Sequence, residues 1–194
     1  MAKMAEVSLG KIDSRPWNLA TQVAMVVSAS LFVAVCARVS VLIPGTPVPL
    51  TLSNFAVLLV GLTLGSRRGF AALVLYLVEG TSGLPVFSLS AAGLGGIAQM
   101  LGPTGGYLLA YPLVAFVAGW LFERSEKTFA RAALAGVAGE ILLFAIGLSW
   151  LTVFTHSLAK AFLYGLYWFL FAEVFKVVLA AALGTRFGRG FRVR

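Results

Sequence analysis

The sequence predicts an all-α integral membrane protein: a bundle of six transmembrane helices with N- and C-termini cytoplasmic. Composition is the first observation behind this. The 194 residues are 60% hydrophobic and 11% charged, with mean hydropathy +0.96, whereas a soluble domain carries about 25% charged residues. At about 20 residues per crossing, the roughly 116 apolar residues supply five or six membrane helices. The second observation is charge placement: twelve of the fifteen Lys and Arg fall on alternate connections of that threading. Together these exclude a soluble enzyme, a disordered chain and a fibre, and the single Cys36 excludes an internal disulfide framework. The net charge of +8 reads as the positive-inside bias, and no nucleic-acid partner is expected.

The elements follow in chain order. Residues 1–18 form a cytoplasmic N-terminal segment, 19–185 the membrane domain and 186–194 a basic cytoplasmic tail. The first apolar run is Leu19–Leu42. Ala34-Val35-Cys36-Ala37 within it resembles a signal-cleavage site, but the apolar stretch is long for a secretory signal, so a retained helix is expected. The second run is Thr51–Leu64, ended by Gly65-Ser66-Arg67-Arg68-Gly69. The third is Phe70–Glu79, continuing less regularly through Gly80–Leu101. The fourth is Thr104–Phe122, the fifth Ala132–Val153 and the sixth Tyr164–Leu183. Lys3, Lys11, Arg15, Arg67, Arg68, Arg124, Lys127, Arg131 and the four tail arginines share one side, against Arg38 and Lys160 on the other. That asymmetry sets the predicted orientation.

Two outer connections are unusual. Ile43-Pro44-Gly45-Thr46-Pro47-Val48-Pro49 holds too many prolines for a helix. Gly80 to Gly106 contains eight glycines and two prolines and no charge. Irregular backbone at membrane depth persists only when buried in protein or lining a cavity, so this segment is expected to fold back over the bundle as a lid or pocket wall.

Charged residues inside apolar runs are functional candidates, because each costs roughly 2.5–3.5 kcal/mol at mid-membrane. Glu173 and Lys176 lie three apart on one helix face and can pair, either as a structural ion pair or as the polar end of a ligand pocket. Glu79 closes the third helix as a solvated interfacial acid or a pocket residue, with the two readings even. Glu140, beside Gly136 and Gly139, is expected to be an acid hydrogen-bonded within the bundle. Asn54 suits an amide- or urea-reading role and an interhelical hydrogen bond equally. Ala20, Ala24 and Ser28 recur every four residues, a small-residue pattern that serves packing within the bundle or docking on another protein. Only His156 is present as a histidine, and neither a catalytic triad nor a metal site can be assembled from the sequence. Gly102-Pro103-Thr104-Gly105-Gly106 lacks the Lys-Ser/Thr of a phosphate loop, so no enzyme activity, cofactor or metal is expected.

Several segments together resemble the BioY family, the biotin-capturing S component of energy-coupling-factor (ECF) vitamin transporters. They are Ile43-Pro44, Val48-Pro49-Leu50-Thr51-Leu52, Phe55 to Leu59, Tyr76-Leu77, Glu79-Gly80, Gly83-Leu84-Pro85-Val86-Phe87 and Leu101-Gly102-Pro103-Thr104-Gly105-Gly106-Tyr107. The resemblance covers about residues 30–185. It implies a six-helix fold in a prokaryotic cell membrane that binds biotin with high affinity near the outer face. It also implies a transmembrane coupling protein and two cytoplasmic ATPases as partners, with membrane lipid around the bundle and a homo-oligomer as a further form. The family's acid-x-x-Lys motif maps onto Glu173-Val174-Phe175-Lys176. This chain lacks the prolines that usually precede it, so the sixth helix is expected to begin earlier than in relatives. Ser53 stands where a glutamine is usual, with Asn54 beside it as a substitute, and Ser88 follows Phe87. The expected biotin pocket comprises Asn54, Glu79, Phe87, Ser88, Tyr107, Trp150, Glu173 and Lys176. The alternative function is an ion-coupled solute carrier or channel with Glu140, Glu173 and Lys176 as a proton path.

Overall fold

A computed structural model of the chain describes residues 18–90 and 93–187; the expected N-terminal segment up to Trp17 and the tail from Gly188 lie outside them. Helix α1 (Leu19–Arg38) starts where Asn18 Oδ1 accepts from the Thr21 amide at 2.8 Å, a side-chain cap for a donor the helix itself cannot satisfy. The proline-rich connection is not helical. It closes a minimal antiparallel hairpin, β1 (Ser40–Val41) with β2 (Leu50–Thr51), in the register Ser40 to Thr51.

Helix α2 (Ser53–Leu64) is the most enclosed element, with nine of its twelve residues buried. It turns into α3 (Ser66–Thr81) through Gly65 alone, at φ +85°. Ser66, Arg67 and Arg68 thus form the first turn of α3, where a connection ending at Phe70 was expected. The reason is a borrowed cap: the Ser66 amide donates to Glu123 Oε1 at 3.0 Å and its hydroxyl to Oε2 at 2.8 Å. Beyond α3 the chain is irregular apart from the single helical turn α4 (Gly96–Met100), so the expected less regular continuation of the third span is largely non-helical.

Helix α5 (Gly105–Glu123) lies against α2, α3 and the long α6 (Phe129–Thr155). Small residues allow the approach: a methyl group at Gly61 would lie 2.5 Å from the Ala115 carbonyl oxygen, and one at Gly119 would lie 2.6 Å from the Ser66 nitrogen. Helix α6 stops at His156, in the left-handed region at φ 50°. The expected sixth helix is a bent pair. It begins at α7 (Leu158–Phe162), runs through a π-turn at Leu163–Tyr167, breaks at Trp168–Phe169 and resumes as α8 (Leu170–Phe187) with a 47° bend. Helix α8 also takes in Arg186 and Phe187, which were expected in the tail.

Among the described residues α1, α5 and α6 are each long and apolar enough to cross a membrane, and the bent pair passes the same test when taken as one broken span. Helix α2 is apolar but only twelve residues long, about 18 Å at 1.5 Å per residue, and α3 carries Arg67, Arg68 and Glu79. Leu19, Val23 and Val35 of α1 are more than half exposed; a helix apolar on its outer face suits a lipid surround.

Candidate ligand site

One end of the bundle holds a cavity of about 40 Å³ between the hairpin, the start of α2, the segment 82–104, α5, α6 and the break before α8. Each wall has a local cause. The hairpin loop is fixed by Thr46, whose hydroxyl donates to the Tyr164 carbonyl at 2.7 Å and accepts from the Val48 amide at 3.1 Å. Tyr107 lies in a slot cut by glycines: a side chain at Gly147 or Gly165 would collide with it, and its hydroxyl donates to the Gly165 carbonyl at 3.1 Å. Tyr111 donates to Asn54 Oδ1 at 3.1 Å. Because Tyr111 takes up the Asn54 carbonyl, the amide NH₂ is the end left to act as donor.

The charged group of the site is on α8. Lys176 Nζ donates to Glu173 Oε1 at 2.7 Å, and both residues are buried. Glu173 lines the cavity whereas Lys176 stands behind it. Glu173 Oε2 has no hydrogen-bond partner, and Asn54 is near enough to the carboxylate to interact with it. A buried carboxylate oxygen without a donor is costly, so the arrangement is built to accept a hydrogen bond from something in the cavity.

The described residues of the segment 82–104 cover the cavity, held to the bundle by Tyr76, Arg38 and Trp150 and braced internally by Gln99. Tyr76 donates to the Val86 carbonyl at 3.2 Å, Arg38 Nη1 to the Phe87 carbonyl at 3.3 Å, Gln99 Nε2 to the Ser88 carbonyl at 3.0 Å and Trp150 Nε1 to the Gly102 carbonyl at 2.9 Å. The Phe87 ring sits directly on Gly80 and edge-on to Tyr76, centroids 5.4 Å apart.

Of the residues expected in the pocket, Asn54, Ser88, Tyr107 and Glu173 line the cavity. Lys176 acts on it through Glu173. Phe87 and Trp150 hold the cover instead of forming walls. Glu79 is directed elsewhere: its Oε2 accepts from the Ser30 hydroxyl at 2.5 Å and ties α3 to α1. Glu140, expected to be hydrogen-bonded, is buried, but neither of its oxygens has a hydrogen-bond partner. Sequence reasoning missed Tyr111 and Gln99. Tyr111 was detectable, being one turn beyond Tyr107 on the same face; Gln99 has no periodic signal in its glycine-rich surroundings. Among the described residues no three His, Cys, Asp or Glu side chains gather to hold a metal ion. Ala20, Ala24 and Ser28 are exposed, and the last two border an apolar groove of about 420 Å³ between α1, α2 and the end of α8.

This architecture has known counterparts. The crystal structure of the S-component for biotin from an ECF-type ABC transporter superposes with a TM-score of 0.78 over 89% of this chain and 96% of that one, at 23% identity, and so shares the fold. The biotin transporter BioY of Thermotoga maritima is 40% identical over 144 residues, 74% of this chain and 83% of that protein. The biotin transporter BioY of Rhizobium etli is 36% identical over 173 residues, 81% and 89% of the two chains. The family model described as BioY family matches residues 5–192, which takes in the hairpin, the cover and the Glu173–Lys176 pair alike. With the match running from end to end of the bundle, the chain belongs to the BioY family.

Proposed function

We propose that the protein captures biotin in the cavity beneath the 82–104 cover and passes it inward with an ATP-driven energy-coupling module. The observation that carries this reading is Glu173, a buried carboxylate that faces the cavity with one oxygen held by Lys176 and the other unpartnered. Biotin's ring end is a urea, with two N–H donors flanking a carbonyl. Its tail ends in a carboxylate, which only accepts. An unpartnered acid oxygen accepts from the urea and repels the tail, so the ring end lies against Glu173 with the Asn54 amide beside it as a donor. Tyr107, Tyr111 and Phe169 supply apolar wall.

Ligand pockets measure about 300–1,000 Å³, far more than the 40 Å³ of this closed form. Entry therefore requires the cover to swing outward, and Gly83 and Gly93, both at positive φ with open space around them, suit a mobile segment. The distribution of Lys and Arg supports six crossings of a prokaryotic cell membrane, with both termini cytoplasmic and α2 and α3 as short spans. The exposed Ala20, Ala24 and Ser28 edge of α1 then serves as the docking face for the transmembrane coupling protein, beneath which two ATPases supply the energy.

Titration calorimetry on the purified full-length protein tests the reading. Biotin should bind stoichiometrically, biotin amide should retain most of the affinity, and Glu173→Ala should remove the heat signal. Binding of another vitamin in preference to biotin would overturn the assignment.

A further inference from the structure

A second buried acid, Glu140, lies near the Glu173–Lys176 pair. Helices α6 and α8 run antiparallel, and a methyl group at Gly136 would lie 3.1 Å from Val177 Cγ1. One helical turn along α6 from Gly136 is Glu140, and one turn back along α8 from Val177 is Glu173. The two acids therefore sit at the same depth across one helix seam. The Glu140 carboxylate interacts electrostatically with both Glu173 and Lys176. Its other polar neighbour is Tyr111 on α5, and Asn54 on α2 faces Glu173. Glu140 is 7% exposed and neither of its oxygens has a partner. Lys176 is 5% exposed and has three N–H groups, one of which is engaged by Glu173 Oε1.

We propose that Glu140 is a positioning residue for ligand capture: it is the second acceptor to which the Lys176 ammonium turns when Glu173 engages the ligand. The inference rests on the biotin reading above, because it supposes a ligand whose N–H groups claim the Glu173 carboxylate. As the urea takes Oε2 of Glu173, that carboxylate divides its negative charge between the ligand and Lys176, and the hold of Oε1 on the ammonium weakens. A buried ammonium without an acceptor is expensive, and without Glu140 that cost would be charged to binding. With Glu140 at the same level, the ammonium moves between two carboxylates and remains paired, while Glu140 itself stays out of the cavity.

The test uses the full-length protein in detergent, with biotin as the probe. Glu140→Gln should bind biotin about tenfold more weakly, the scale of one charge-assisted hydrogen bond, while its thermal midpoint without biotin stays at or above the wild-type value. In infrared difference spectra, biotin should change the carboxylate bands of the wild type, and one pair of those bands should be missing in Glu140→Gln. Glu140→Asp, which keeps the charge, should shift that pair and not delete it, and it carries the same test if the glutamine variant fails to fold. Wild-type protein without any biotin signal would overturn the biotin reading and this inference with it. A clear wild-type signal reproduced unchanged by Glu140→Gln, at unchanged affinity, would overturn this inference alone.

Discussion

The two ends of the bundle use glutamate in opposite ways. At the end carrying Arg67, Arg68 and Arg124, Glu123 has both oxygens occupied, by the amide and the hydroxyl of Ser66. At the cavity end, Glu140 and Glu173 are buried and leave three oxygens without partners between them. Glycine sets the cover apart from the rest: at Gly61 and Gly119 in the base, and at Gly147 and Gly165 around Tyr107, even a methyl group would collide, whereas side chains at Gly83 and Gly93 in the cover would meet nothing. A satisfied acid and a crowded glycine make a rigid base. Unsatisfied acids and glycines in open space belong to a site that must change on binding, and the contrast separates the part that holds the fold from the part that works.

The strongest attempt to break this contrast removes the one cation that the cavity-end acids share. Lys176→Ala leaves two buried carboxylates facing each other without a counter-charge, so it should lower stability by about 3–5 kcal/mol and abolish measurable biotin binding. Thermal unfolding and calorimetry on the same preparation check both. A variant as stable as wild type would mean that the pair is dispensable to the fold and that the cavity end is no less satisfied than the base.

The matching experiment at the base is smaller in stability and null in binding. Glu123→Ala deprives the first turn of α3 of its cap and should cost about 1–2 kcal/mol, as cap removal does elsewhere. Biotin affinity should stay within twofold of wild type in calorimetry. A large loss of affinity would show that the two ends are coupled, and the division drawn above would fail.

How much of this division was legible in the residues can be argued element by element. The apolar runs predicted α1, α5 and α6 well, because a span of twenty apolar residues has few other uses. The prolines between Pro44 and Pro49 rule out helix there, and the glycine-rich 80–106 segment reads as a lid or pocket wall because irregular backbone at membrane depth must be buried in protein or line a cavity. The Glu173–Lys176 pair was visible from its spacing, and Asn54 and Tyr107 from the motifs around them. The start of α3 was not visible, since its cap comes from Glu123, 57 residues away, and no local pattern carries such a bond. The π-turn and the bend before α8 were missed for the same reason: periodicity reports one continuous apolar face on either side of a break. Glu79, which the sequence leaves even between a solvated acid and a pocket residue, turns to Ser30 of α1, and Glu140 is buried as expected but without the expected hydrogen bond. Partners on other helices decide both, and no local pattern carries them.

The cover offers the finest test of the contrast. Trp150 rises from α6 and its indole N–H donates to the Gly102 carbonyl, while its ring lies over Gly106 so closely that any side chain there would collide. Trp150→Phe keeps an aromatic ring next to Gly106 but trades the indole for a smaller benzene ring without the donor, so about 1 kcal/mol of hydrogen bonding is lost along with some packing. If the cover opens to admit ligand, that loss destabilises the closed form, which is the form that retains biotin. Dissociation should therefore quicken by about fivefold while association changes little, since affinity differences between closely related complexes are expressed mainly in the off-rate. Stopped-flow displacement of a fluorescent biotin conjugate measures both rates. An unchanged off-rate would mean that the cover is not what retains the ligand. The tethers at Tyr76, Arg38 and Trp150 would then belong with Glu123, as parts of the scaffold and not of the moving site.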